Sequence, residues 1–188
     1  EKLTIGFIGG SITQGSLSST PQKCYAYLVY EWWVRTFPQA EFKYVNAGIG
    51  GTTSQFGVAR AQDDLLDTEP DFVIAEFSVN DESTGHFEET YEGLVRKILS
   101  SKSHPALMLV HNVCYNNGAS AELVHSRIAR HYNIPSVSMQ STLYKALLNC
   151  RFDNRRITPD DLHPNDCGHE LVSMVITKRL ERCSSLFS

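Results

Sequence analysis

Cysteine is scarce and unpatterned in this chain of 188 residues. The five cysteines, Cys24, Cys114, Cys150, Cys167 and Cys183, are odd in number and widely spaced, and no two form a C-x-x-C pair. This argues against a disulfide framework and against a structural zinc site. It favours a reducing compartment such as the cytoplasm, with secretion left open. Basic charge is not in excess either: 17 Lys and Arg face 21 Asp and Glu, a net charge of −4. The chain therefore lacks the footprint of a nucleic-acid binder, and it has no polybasic run to hold an anionic membrane surface. No apolar stretch approaches the ~20 residues of a membrane span. The N-terminus, Glu1-Lys2-Leu3-Thr4-Ile5, runs straight into a strand pattern with no leader ahead of it. Its first residue is not Met, so a processed or excised chain is expected. Linkers, low-complexity tracts and internal repeats are absent, and the expectation is one domain over residues 1–188.

Apolar residues are plentiful. They make up 41% of the chain, and the 12 glycines bring this to about 47%, within the usual globular range. The pattern is an alternation. Short β-branched apolar runs fall at 3–9, 42–47, 71–78, 106–112 and 135–139, and several are apolar on nearly every residue, as parallel strands covered on both faces are. Between them lie segments of helical period. Tyr25, Leu28, Val29 and Trp32 share a face, with Pro38 as the stop. Phe87, Tyr91, Leu94, Val95 and Ile98 line a second helix, and Ala121, Val124, Ile128 and Tyr132 a third. Leu171, Met174 and Val175 begin the face of the last, and 56–66 reads as a less regular helix. Alternating strands and helices predict βαβ units, hence an α/β fold: a three-layer α/β/α sandwich on a five-stranded parallel sheet. In such folds ligands bind at the carboxyl ends of the strands.

The residues at those ends carry the functional signal. After the first strand comes Gly9-Gly10-Ser11-Ile12-Thr13-Gln14-Gly15. The P-loop pattern fails because Ser16 stands where Lys is required, the G-x-G-x-x-G fingerprint fails, and the G-x-S-x-G elbow fails at Thr13. What remains is a tight Gly-Gly-Ser turn that lifts a hydroxyl to the top of the sheet. After the second strand, Gly48, Gly50 and Gly51 expose backbone N–H groups ahead of a helix start, a ready anion site. After the third, Asn80 offers a side-chain amide. Near the end, Asp160 stands three residues before His163. Pro164 holds His163 extended and off the helix that follows, which Asp166 is expected to cap. A carboxylate at that spacing can reach Nδ1 of the imidazole and fix its tautomer. A serine, backbone and amide donors, and an Asp–His pair at one rim are the parts of an acyl-transfer site.

The same residues resemble the SGNH hydrolases, also called GDSL esterases, over essentially the whole chain. Gly9-Gly10-Ser11-Ile12-Thr13 is similar to that family's first block, Asn46 to Gly51 to its second, Val79-Asn80-Asp81 to its third and Asp160-Asp161-Leu162-His163-Pro164 to its fifth. The chain departs at Gly10, where Asp is common, and at Val79, where Gly is common. Neither change removes a group that does chemistry. The resemblance implies a flavodoxin-like hydrolase fold, Ser11 as nucleophile, His163 as base, and Asp160 as its orienter by virtue of the −3 position. It also implies an oxyanion hole from the N–H groups of Ser11 and Gly51 and the amide of Asn80, with no metal or organic cofactor. The single intervening pattern His163-x5-His169 does not place two metal ligands on one helix face. The polar loops after the strands, and the Gly-Gly-Ser-Ile-Thr form of the first block, are similar to the carbohydrate-esterase branch. The expected substrate is an acetylated polysaccharide or oligosaccharide, with Thr13, Gln14 and Tyr115 as candidate contacts. A thioesterase or lysophospholipase with a longer acyl pocket is the alternative enzyme. A flavodoxin-like module holding phosphate at Gly48–Ser54 is the alternative binder. Oligomeric state is left open.

Overall fold

Among the residues described by the computed structural model, 2–184, five strands alternate with seven helices. The strands are β1 (Lys2–Gly9), β2 (Glu41–Gly48), β3 (Phe72–Glu76), β4 (Ala106–His111) and β5 (Ser136–Ser138). The helices are α1 (Ser11–Gln14), α2 (Tyr25–Thr36), α3 (Ser54–Asp64), α4 (Gly85–Leu99), α5 (Glu122–His131), α6 (Lys145–Leu148) and α7 (Asp166–Ser184). The sheet is parallel throughout, in the order β2-β1-β3-β4-β5. Chain direction across the sheet therefore reverses between β1 and β3, and this is where open α/β sheets leave a crevice for ligands.

Period-two alternation sorts the strand residues onto two apolar layers. Ile5, Phe7, Ile74, Met108, Val110 and Val137 pack on one face with Tyr25 and Val29 of α2 and Val172, Ile176 and Leu180 of α7. Ile8, Val73, Ala75, Leu107 and Leu109 pack on the other with residues of α3, α4 and α5. Each large side chain buried here contributes ~1.5–3 kcal/mol. The two layers explain why the central strands read as unbroken apolar runs.

Two expectations shift in detail. The core stripe of α7 is Val172, Ile176 and Leu180, and Met174 points to solvent at 57% exposure. Extending the stripe by one further turn would have revealed the rotation. Asp166 does not cap α7 either. Oδ1 of Asn165 accepts the Gly168 N–H at 3.1 Å, while the Asp166 carboxylate reaches back to the backbone and hydroxyl of Ser19 and to Lys23. A π-helical turn over Gln140–Tyr144 running into α6 had no sequence signal.

Register brings the site together. Gly9 of β1 pairs with Gly48 of β2 and with Glu76 of β3. The three strands end level, so the loops beginning at residues 10, 49 and 77 rise side by side.

Candidate active site

Ser11 is the first residue of the short helix α1, immediately beyond β1, with Gly10 as its extended N-cap. Its residue exposure is 8%, and its Oγ lies 2.8 Å from Nε2 of His163. Nδ1 of the same imidazole donates to Oδ2 of Asp160 at 2.6 Å. Asp160 is held by its own turn: Oδ1 accepts the N–H groups of His163 at 2.7 Å and Leu162 at 3.0 Å, and the Thr158 hydroxyl at 3.2 Å. Partial burial pushes the carboxyl upward, but the side-chain and backbone hydrogen bonds of His163 and that of Leu162 outweigh it and bring its pKa down to about 2. The imidazole therefore faces a fixed carboxylate. Asp161, next in the chain, turns away with φ at +67° and is engaged by Asn154 at 2.5 Å and Arg155 at 3.0 Å.

The three expected amide donors lie just beyond the ends of β1, β2 and β3. Among the described residues, no protein acceptor takes the N–H of Ser11, the N–H of Gly51 or Nδ2 of Asn80. Gly51 has φ at +70°, and a Cβ there would meet nothing within 4 Å, so its backbone conformation rather than space calls for glycine. Gly10 is the opposite case: a Cβ there would come within 2.3 Å of Oδ1 of Asn80. The bare Gly10 lets the Asn80 amide lie against the serine turn.

Two of the substrate-contact expectations need correction. Thr13 is fully buried, and its hydroxyl shares a 2.8 Å hydrogen bond with Tyr25, because the one-turn helix aims residue 13 into the core. Tyr115 is 4% exposed and packs in the α2–α7 layer, while its N–H holds the Asp161 carbonyl. Gln14 is exposed, but its Oε1 accepts the Gly50 N–H at 2.9 Å and so braces the glycine loop. His169 is buried, accepting the Tyr25 N–H on Nδ1 and donating to the Ser16 carbonyl.

Sequence reasoning missed the groups that hold these loops. The Asn46 side chain accepts the Gly48 N–H and donates to the Thr13 carbonyl. Arg60, 7% exposed on α3, donates to the Ala47 carbonyl at 2.6 Å and the Gly9 carbonyl at 3.1 Å, clamping the ends of β2 and β1. Its only signal was a charge inside a half-apolar helical segment. Apolar cavities lie away from the relay. One of 580 Å³ runs between β5 and α7, and one of 480 Å³, lined by Trp32, Trp33 and Phe37, sits at the opposite end of the sheet.

Residues 7–171 match the GDSL-like lipase/acylhydrolase family. Among solved structures, a two-domain esterase active on acetylated mannans, crystallised with mannopentaose, is 71% identical with a TM-score of 0.95. The match covers 96% of this chain and 49% of that one, so this chain spans about half the length of that relative. The acetylxylan esterase Axe2 of Geobacillus stearothermophilus shares the fold at 20% identity and a TM-score of 0.77, covering 94% of this chain and 93% of its own. The curated thioesterase 1/protease 1/lysophospholipase L1 of Escherichia coli K12 is 25% identical over 95% of this chain and 83% of that protein.

Proposed function

This chain belongs to the GDSL-like lipase/acylhydrolase family, and from that premise we propose that it is a serine esterase that removes acetyl groups from an acetylated polysaccharide or oligosaccharide of the mannan type. The observation that carries the reading is the unbroken line from Ser11 Oγ through His163 to Asp160, at 2.8 and 2.6 Å.

The steps follow from the geometry. Nε2 of His163 takes the Ser11 proton as Oγ attacks the acetyl carbonyl. Negative charge develops on the carbonyl oxygen, where the Ser11 and Gly51 N–H groups and Nδ2 of Asn80 receive it. Asp160 holds the imidazole in the Nδ1–H tautomer and stabilises the imidazolium. His163 then returns the proton to the departing sugar hydroxyl. Water, deprotonated by the same imidazole, attacks the acetyl-enzyme and releases acetate.

Two observations favour a short acyl group on a sugar. The 71% identical relative acts on acetylated mannans. Gly50 lies near Ser11 and Gly10 lies against the Asn80 amide, and the apolar cavities that would hold a long chain lie elsewhere. Acetate release from acetylated mannan, xylan and pectin fragments, with Ser11→Ala as the blank, tests the reading. Release from mannan above the other two is expected. A strong preference for p-nitrophenyl octanoate over the acetate ester would instead favour the thioesterase or lysophospholipase reading. Failure of Ser11 to react with a fluorophosphonate would remove the esterase reading altogether.

A further inference from the structure

The oxyanion donors Gly51 and Asn80 come from two loops, and among the described residues one hydrogen bond joins residues 49–54 to residues 77–82. Oδ1 of Asp81 accepts the N–H of Ser54, the first residue of α3, at 2.8 Å. Thr53, the N-cap of α3, makes no side-chain cap bond itself, so a carboxylate from another loop caps this helix. The other oxygen of Asp81 lies 3.0 Å from Nε2 of His125 on α5, and both side chains are fully buried. The His125 ring is fixed in turn by Tyr91 of α4, stacked at 3.6 Å and 10°. The Tyr91 hydroxyl donates to the carbonyl of Ala75 on β3. Burial lowers the proton affinity of His125 against the pull of Asp81. A neutral imidazole donating Nε2–H is thus the form that meets the carboxylate.

We propose that Asp81 and His125 are positioning residues for the oxyanion hole. The imidazole locks the Asp81 carboxylate in one rotamer. The carboxylate draws the first turn of α3, and Gly51 ahead of it, against the loop that carries Asn80. The inference rests on the esterase reading of the same site. A core position needing only volume would be filled by an apolar side chain. A chain of fixed donors and acceptors running from β3 through two helices to both donor loops instead sets geometry, and misplacing a reacting group by 1 Å can cost ~10²-fold in rate.

The test measures kcat, KM and Tm with p-nitrophenyl acetate for the wild-type chain, His125→Phe, His125→Gln and Ser54→Pro. His125→Phe keeps the stack on Tyr91 but removes the donor. Its kcat is expected to fall at least about tenfold with KM within about twofold, the signature of an interaction made in the transition state. His125→Gln restores a donor and should recover to within about threefold of wild type. Ser54→Pro removes the N–H that Asp81 accepts. Proline is well tolerated at the first helical position, and Thr53 already has the extended backbone that must precede it. Its kcat should fall as in His125→Phe. If Ser54→Pro retains wild-type kcat, the proposal is overturned, even where His125→Phe does not fold. It is equally overturned if His125→Gln is as slow as His125→Phe at equal Tm. A wild-type chain without esterase activity would place the failure in the esterase reading, and this inference would fall with it.

Discussion

Replacing Asn80 with alanine separates activity from stability in a way few active-site substitutions do. Nδ2 of Asn80 has no protein acceptor, whereas its Oδ1 is buried against Gly10 and also lacks a partner. The backbone N–H of Asn80 donates to the Phe77 carbonyl at 3.0 Å, so the loop keeps its turn without the side chain. Deleting the amide removes one donor to the developing oxyanion, a loss of ~2.7–4 kcal/mol or 10²–10³ in kcat. It also removes an acceptor whose burial without a partner costs about 1–3 kcal/mol in the folded state. Part of that gain is offset by the small gap left beside Gly10. The net expectation is a Tm unchanged or raised by about 2–4 °C, the shift that ~1 kcal/mol produces in a chain of this size. Acetate release under saturating substrate gives kcat, and scanning calorimetry gives Tm. Loss of transition-state binding alone predicts equal falls in kcat and kcat/KM. The reasoning is refuted if kcat stays within about fivefold of wild type, or if Tm drops by more than a few degrees alongside it.

Asp160→Asn keeps the size of the side chain but can stabilise the wrong imidazole tautomer, and its kcat should fall by up to about 10⁴ in the same acetate assay. The pKa of Asp160 lies below its ordinary value, so its contribution to stability is present above about pH 4 and is lost as pH falls toward 2. The difference in melting temperature between wild type and Asp160→Asn should shrink to nothing across that window. Glu76 has the opposite sign: full burial pushes its pKa up to about 7 against the hydrogen bonds from Ser78. The unfolded chain releases this proton near pH 4.5, so between there and pH 7 the native state binds more protons and stability falls as pH rises. Glu76→Gln should remove a loss of about 3 kcal/mol between pH 4.5 and pH 7, and urea melts of both chains at pH 4.5 and pH 8 that fall in parallel would refute this. Gly51→Ala forces an L side chain to φ +70°, which should lower stability by ~1–2 kcal/mol and also lower kcat through the displaced N–H.

The sheet was legible because its physics is local. The central strands β1, β3 and β4 are buried on both faces and so read as apolar runs, and all five runs read from sequence lie within a few residues of the observed strands. The residues around Ser11 were legible for a related reason. Open α/β sheets expose chemistry at strand ends, so glycines, Asn80 and the Asp-x-x-His turn stood out against the apolar strands. The supports of the site were not. Arg60, Asp81 and His125 reach the loop and strand-end partners that brace the site over separations of 13 to 51 residues. Such a bond leaves no periodicity, and His125 lies on the helix face of Ala121 and Ile128, where an apolar residue was the natural expectation. Thr13 and Tyr115, polar residues just past strand ends, are buried, which position after a strand does not reveal. Their orientation depends on the pitch of one short helical turn and on how the loop after β4 folds back.

These supports also explain why the site tolerates so much buried polarity. An oxyanion hole accelerates a reaction only if its donors are already aimed before charge appears, since donors that reorient at that moment return the advantage as reorganisation. Loops do not hold such an aim by themselves. Here the glycine loop is fixed from three sides: Gln14 on the Gly50 N–H, Asn46 on the Gly48 N–H and Asp81 on the Ser54 N–H. Arg60 fixes the strand ends beneath it. Each bond places a side chain on a backbone group that an open loop would leave to water, so the desolvation cost is met by a hydrogen bond rather than left unpaired. In the proposed oxyanion hole, the N–H groups of Ser11 and Gly51 and Nδ2 of Asn80 have no protein acceptor among the described residues. Loosening any one brace should therefore lower kcat before it lowers substrate affinity, because the ground-state carbonyl draws little on donors that the tetrahedral oxyanion needs in full.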